Sequence, residues 1–182
     1  MKTLFLILIL FLSCDRNNSV KTYSIAKEVI LEKKSNQTSS KSSNSFTWNA
    51  PSHWKEGKSS SMRLASYSIP YNDTIADLSI TNFSGDGGGL LANVNRWRQQ
   101  LDLEPYGIAE LDSDIIIGNS QIGEFRFIKI INNENIGNAF LCSIYSIDKS
   151  TIFIKMSASI NGVNELENDF KEFCSTLRYN DK

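Results

Sequence analysis

Histidine occurs once in this chain, and cysteine and proline three times each among 182 residues. The one histidine, His53, lies in Ala50-Pro51-Ser52-His53-Trp54 with no second histidine or cysteine at ligand spacing, so the sequence offers no zinc site. A serine or cysteine nucleophile would have to recruit the same His53, and there is no Gly-x-Ser-x-Gly elbow to present one. Carboxylates do occur close together, as Asp112 with Asp114 and Glu165 with Glu167, but such pairs on loops and helices are ordinarily solvated or favourable to a helix dipole. No catalytic residue, metal or cofactor is therefore expected. Charge of one sign is lacking too: the formal net charge is −1 and the basic residues are scattered. Without a basic stripe, nucleic acid is not an expected partner.

What is present begins at the N-terminus. Lys2 is followed by the unbroken apolar run Leu4 to Leu12, shorter than the roughly 20 residues a membrane span needs, and then by Ser13-Cys14. This pattern resembles the lipobox of bacterial lipoproteins, in which the cysteine thiol receives a diacylglycerol and becomes the new N-terminus. The resemblance implies a signal peptide over residues 1–13, a lipid on Cys14 and a domain facing the periplasm or the exterior. An ordinary signal peptide or an uncleaved anchor is the other reading of the same residues, and either one takes the folded part out of the cytoplasm. Asp15 resembles an inner-membrane retention signal of enterobacterial lipoproteins, a rule that does not hold in all bacterial groups, so the leaflet stays open.

Residues 14–45 are polar, and Ser35 to Ser45 has almost nothing apolar to bury, which predicts a Ser/Asn-rich tether. A single domain is expected over residues 46–182, large enough for one core. Within it, period-2 patterns predict strands over residues 46–48, 62–69, 76–83, 115–117, 124–131, 138–147 and 151–158, with Pro70 ending the second. The last three are spaced like an antiparallel meander.

Two helices interrupt the strands. In GDGGGLLANVNRWRQQL, at about 100° per residue, Leu90, Val94, Trp97 and Leu101 share one sector. Asn93, Arg96 and Gln100 flank it, while Asn95 and Gln99 point away. The preceding glycines lack the Gly-Lys-Ser/Thr ending of a P-loop and carry Asp86, so Gly87 to Gly89 read as a tight strand-to-helix turn and not as a phosphate cradle. The second helix is predicted over Val163 to Arg178, with Leu166, Phe170, Phe173 and Leu177 facing the sheet. The order βββαββββα describes an α+β fold: an antiparallel sheet of about six or seven strands with helices on its faces. Cys142 and Cys174 fit a disulfide in an oxidising compartment, and equally fit two small buried apolar residues.

The Trp48-x-x-Pro51-x-x-Trp54 opening, the closing Ile152-Phe153-Ile154-Lys155 strand, and the Phe-x-x-Phe helix ending in Ser-Thr-Leu-Arg resemble the Mog1/PsbP-type α/β/α sandwich. The glycine-turn helix resembles that of a group of exported bacterial lipoproteins with a Gly-Gly…Asn-x-Asn-Arg-Trp-Arg pattern. Members of the wider fold dock on a GTPase or a photosynthetic membrane complex, and no common active site travels with them. The resemblance thus implies a non-catalytic, membrane-anchored accessory domain that binds an envelope protein. The alternative is a lipoprotein that binds a small molecule or anion through Asn93, Asn95, Arg96 and Arg98. A flat surface favours the first reading, and a concave pocket with converging Arg and Asn groups favours the second.

Overall fold

The computed structural model describes residues 45–58 and 63–180. The chain divides into Met1–Lys41 and Ser42–Lys182, and all described residues lie in the second unit. Cys14, the signal peptide and all of the tether before Ser45 fall outside the described residues.

The strands are β1 (Phe46–Thr47), β2 (Lys55–Glu56), β3 (Arg63–Tyr71) and β4 (Thr74–Ser84), followed by helices α1 (Leu90–Gln99) and α2 (Ile108–Asp114). Then come β5 (Ile116–Ser120), β6 (Gly123–Ile131), β7 (Ala139–Ile147), β8 (Ser150–Ala158), α3 (Ile160–Ser175) and β9 (Arg178–Tyr179). Seven strands form one antiparallel sheet in the order β2-β3-β4-β8-β7-β6-β5. The chain leaves β4 at the centre, crosses to the far edge through α1 and α2, and returns by the meander β5 to β8 to pair with β4. This is the expected α+β sheet with helices on its faces.

Four details differ from the sequence reading. β3 runs through Pro70, because the pairing of β2 stops at Ser68 and leaves the ladder beside Pro70 open, so its missing N–H costs nothing. α3 starts earlier than expected, at Ile160, with the Ser159 hydroxyl accepting from the Gly162 N–H at 3.1 Å as an N-cap. It also ends earlier, so that Arg178 lies in a strand and not in the helix: β9 pairs with β1 and Tyr179 stacks against Phe46. The pieces β2, α2 and β9 are two, seven and two residues long, too short to show a period, and they exist because neighbours in space pair with them.

The two faces of the sheet carry two cores. On one face, α3 lays Val163, Leu166, Phe170 and Phe173, joined by Leu177 just beyond it, over Ile69, Leu78, Ile80, Phe127, Leu141 and Ile154, all buried. The segment before β2 extends this cover, with Trp54 packed against Tyr67 and Phe173. On the other face, Val94, Trp97, Leu101 and Leu111 cover Ile128, Ile130, Phe140, Cys142, Ile144 and Phe153. Cys142 belongs to this second core and Cys174 to the first, so the two cysteines lie in cores on opposite sides of the sheet as free, fully buried thiols. The disulfide reading is corrected accordingly, because strand alternation turns Cys142 away from α3. Burial pushes the Cys174 thiol up to about 12 and the Cys142 thiol higher still, leaving both protonated and inert.

Candidate functional site: a cationic pocket beside α1

The glycine turn is built as a turn. Gly87, Gly88 and Gly89 hold φ of 62°, 91° and 81°, a region that side chains avoid, and a Cβ on Gly87 would sit 2.8 Å from the Phe153 ring. Asp86 accepts from the Gly88 N–H at 2.9 Å. Asn93, 2% exposed, donates its amide to the Gly87 and Gly89 carbonyls at 2.9 and 2.6 Å. Its donor capacity is thereby used within the chain.

The remaining predicted residues separate in the same way. Asn95 clamps the loop before α2 at two points, donating to the Tyr106 carbonyl at 3.0 Å and accepting from its N–H at 2.7 Å. Arg98 donates to the Glu104 carbonyl at 2.7 Å and stacks 3.4 Å from the centre of the Tyr106 ring. Asn93, Asn95 and Arg98 are therefore positioned as braces of the turn and loop on either side of α1. Arg96 differs: it is exposed, its guanidinium donates to the Asn93 side-chain oxygen at 2.9 Å, and among the described residues it joins no ion pair.

Arg96 lines a pocket of about 210 Å³ with Ser79, Thr81, Phe83, Gly87, Asn93, Trp97, Phe153 and Lys155. Strand register explains how these meet. Directly opposed residues share a face, and one row across the sheet reads Ser66, Ser79, Lys155, Cys142, Ile128. The next reads Thr81, Phe153, Ile144, and another reads Ser68, Asp77, Ser157, Phe140. Each row is polar on β3 or β4 and becomes apolar at or beyond β8, because the core under α1 takes its strand residues only from β6, β7 and β8. Lys155 stands at that boundary. Its ammonium donates to the Gln100 side chain at 2.6 Å and lies 3.5 Å from the centre of the Phe140 ring. Burial holds its pKa below the ordinary lysine range, with the Asp77 carboxylate only partly opposing the effect. The hydroxyls of Ser79 and Thr81 make no hydrogen bond among the described residues. The geometry therefore converges two cations and two unengaged hydroxyls on one concavity with an aromatic floor.

Ser79, Thr81 and Lys155 were missed by the sequence reading. The signal was the alternation in β4, where Asp77, Ser79 and Thr81 oppose Leu78 and Ile80: the middle of one face of that strand is polar.

The paired carboxylates and the histidine lie elsewhere. Glu167 bonds Lys129 and Lys171, Glu165 accepts from Asn72, and Asp114 accepts from the Tyr106 hydroxyl. His53 is exposed on a separate cleft of about 430 Å³ whose acidic side is Asp169 and Glu172.

No family model and no curated protein matches this chain. Some solved structures are similar to it. One is a protein of Bacteroides thetaiotaomicron, 14% identical over 76% of this chain and 46% of its own, with a TM-score of 0.47. The chain thus spans less than half of that protein's length. Another is the cyanobacterial PsbP protein CyanoP of Synechocystis, 10% identical over 75% of this chain and 87% of its own, with a TM-score of 0.49. A PsbP protein is therefore among the structures this chain resembles. Likeness at these scores carries no argument about ligand, partner or activity, and the α+β architecture rests on the strands and helices described above.

Proposed function

We propose that the domain binds a small anionic ligand in the pocket between α1 and strands β4 and β8. One observation carries this reading: Arg96 and Lys155 line the same concavity, and neither is in an ion pair among the described residues. Both side chains donate hydrogen bonds and carry positive charge, so an anion entering the pocket can bond to each while taking up the hydroxyls of Ser79 and Thr81. The glycine turn has a supporting role, since Asn93 uses it to hold the start of α1 and thereby the position of Arg96.

We also propose, from the apolar run ending in Ser13-Cys14, that the protein is a bacterial envelope lipoprotein held to its membrane through Cys14. Docking on an envelope protein is the second reading. It draws on the outer edge of β5, which pairs only with β6 and leaves Ile116 and Ile117 half exposed without a charged residue in the strand.

Thermal unfolding of the full chain, titrated with benzoate and with inorganic phosphate, tests the proposal. A saturable rise in Tm that disappears in Arg96→Ala and in Lys155→Met is expected. No saturable rise with any anion would overturn it and move the docking reading ahead.

A further inference from the structure

The pocket is smaller than the ~300–1,000 Å³ that holds a whole drug-sized ligand. At about 210 Å³ it accommodates one ring or one acidic group, and the rest of a larger ligand must lie outside it. Register shows where. The rows that lead away from Lys155 run over Ser79 on β4, and the adjacent row carries Asp77 on β4, Ser68 on β3 and Ser157 on β8. Ser68, Ser79, Thr81 and Ser157 are partly exposed and Asp77 is exposed, so the pocket opens onto a polar shelf of sheet.

The chemistry of that shelf is selective. A serine or threonine hydroxyl both donates and accepts, whereas a carboxylate such as Asp77 only accepts. A ligand matching both along the shelf carries donors as well as acceptors spread over several atoms, as a run of sugar hydroxyls does and a simple carboxylate does not. Asp77 also opposes a second negative charge placed over it, which disfavours polyphosphates and nucleic acid on this surface. Phe83, 40% exposed at the pocket rim with its ring 5.6 Å from that of Phe153, adds an apolar wall suited to the C–H face of a ring.

Resting on the anion-binding reading above, we infer that the ligand is a polyhydroxylated acid, an acidic saccharide of the uronate type. Its carboxylate lies between Arg96 and Lys155, its acidic ring sits against Phe83 and Phe153, and its neighbouring sugar hydroxyls exchange hydrogen bonds with Ser79, Thr81 and Asp77.

Titration calorimetry of the full chain in detergent tests this with three probes: a trisaccharide of one terminal galacturonate and two galactoses, the uncharged galactose trisaccharide, and inorganic phosphate. The acidic trisaccharide is expected to bind at least tenfold more tightly than either of the others. Arg96→Ala should weaken it by an order of magnitude or more, and the double variant Ser79→Ala/Thr81→Val by roughly tenfold, the effect of two hydrogen bonds. The double variant should unfold at the same Tm as the wild type, which separates loss of the shelf from loss of the fold. If phosphate binds as tightly as the acidic trisaccharide and the double variant alters nothing, the saccharide assignment is overturned while the anion pocket stands. If no anion binds, both fall. Equal binding of the uncharged trisaccharide, insensitive to Arg96→Ala, likewise removes both.

Discussion

The two faces of the sheet are built from the same strands and finished differently. Under α3 the apolar residues extend across the sheet from β3 to β6, and the charges at the edge of that core are paired, with Lys129 and Lys171 both bonded to Glu167. Under α1 the apolar core stops at β8, and the cations at its edge, Arg96 and Lys155, have no carboxylate partner among the described residues. A finished face uses its polar groups to close itself, whereas an unfinished one leaves hydrogen-bonding capacity unspent. That difference locates the candidate site, since nothing else about Ser79, Thr81 or Lys155 distinguishes them from ordinary strand residues.

The comparison can be broken most forcefully at the centre of each core. Phe170 is fully buried under α3 and Trp97 is 7% exposed under α1, and truncation of either to alanine should cost about 3–5 kcal/mol. Urea unfolding measures both. A Trp97→Ala cost under about 1 kcal/mol would mean that α1 is not a true core helix and that the second face is open altogether.

The next effect has an unusual sign. In an exposed helix, glycine to alanine stabilises by about 1 kcal/mol. Gly162 is buried in the first turn of α3, and a Cβ there would lie 2.5 Å from the Tyr71 ring, whose hydroxyl is within 3.1 Å of the capping Ser159 hydroxyl. Gly162→Ala should therefore lower the Tm, and a raised Tm would show that α3 sits less tightly on β3 than described.

The cysteines sharpen the comparison through additivity. Cys142→Ala and Cys174→Ala each leave a small cavity, on opposite faces, and should each cost on the order of 1 kcal/mol with independent effects that sum in the double variant. Alkylation after denaturation without reductant should modify both thiols. Protection of both would mean a bridge, and with it a different position for β7 or α3.

The smallest effect concerns the closed rim. Burial alone would raise the pKa of Glu167, but hydrogen bonds from Lys129 and Lys171 outweigh it and hold the carboxyl below its usual range. A carboxyl depressed in the folded state contributes stability above its unfolded pKa and loses that contribution as pH falls through its folded one. Glu167→Gln should thus cost up to about 1 kcal/mol at neutral pH, with the difference from wild type vanishing in acid. A difference that persists undiminished at low pH would assign the effect to packing instead.

Much of this was legible residue by residue. The alternation in β3, β4, β6 and β8 marked which side chains share a face, and the spacing of Leu90, Val94, Trp97 and Leu101 marked the buried stripe of α1. Gly87 to Gly89, with Asp86 among them, read as a turn because a phosphate would meet a carboxylate there. Asn93, Asn95, Arg96 and Arg98 were recognisable as a polar group around one helix, but their division into three braces and one pocket residue was not. Local spacing says which way a side chain points and nothing of what stands opposite it: Asn95 and Arg98 meet Tyr106 and Glu104 only because the chain turns back after α1.

Residue type and local period were enough to define the longer strands, the apolar stripes of the two long helices, the glycine turn and the scarcity of catalytic groups. Tertiary structure decided the rest. Where the meander returned to pair β8 with β4, it set Lys155 beside Ser79, put Cys142 and Cys174 in different cores, and left the α1-side core short of β4. Period fixes the two faces of a strand, but which element lands on each face, and how far it reaches, is settled by the packing of the whole chain.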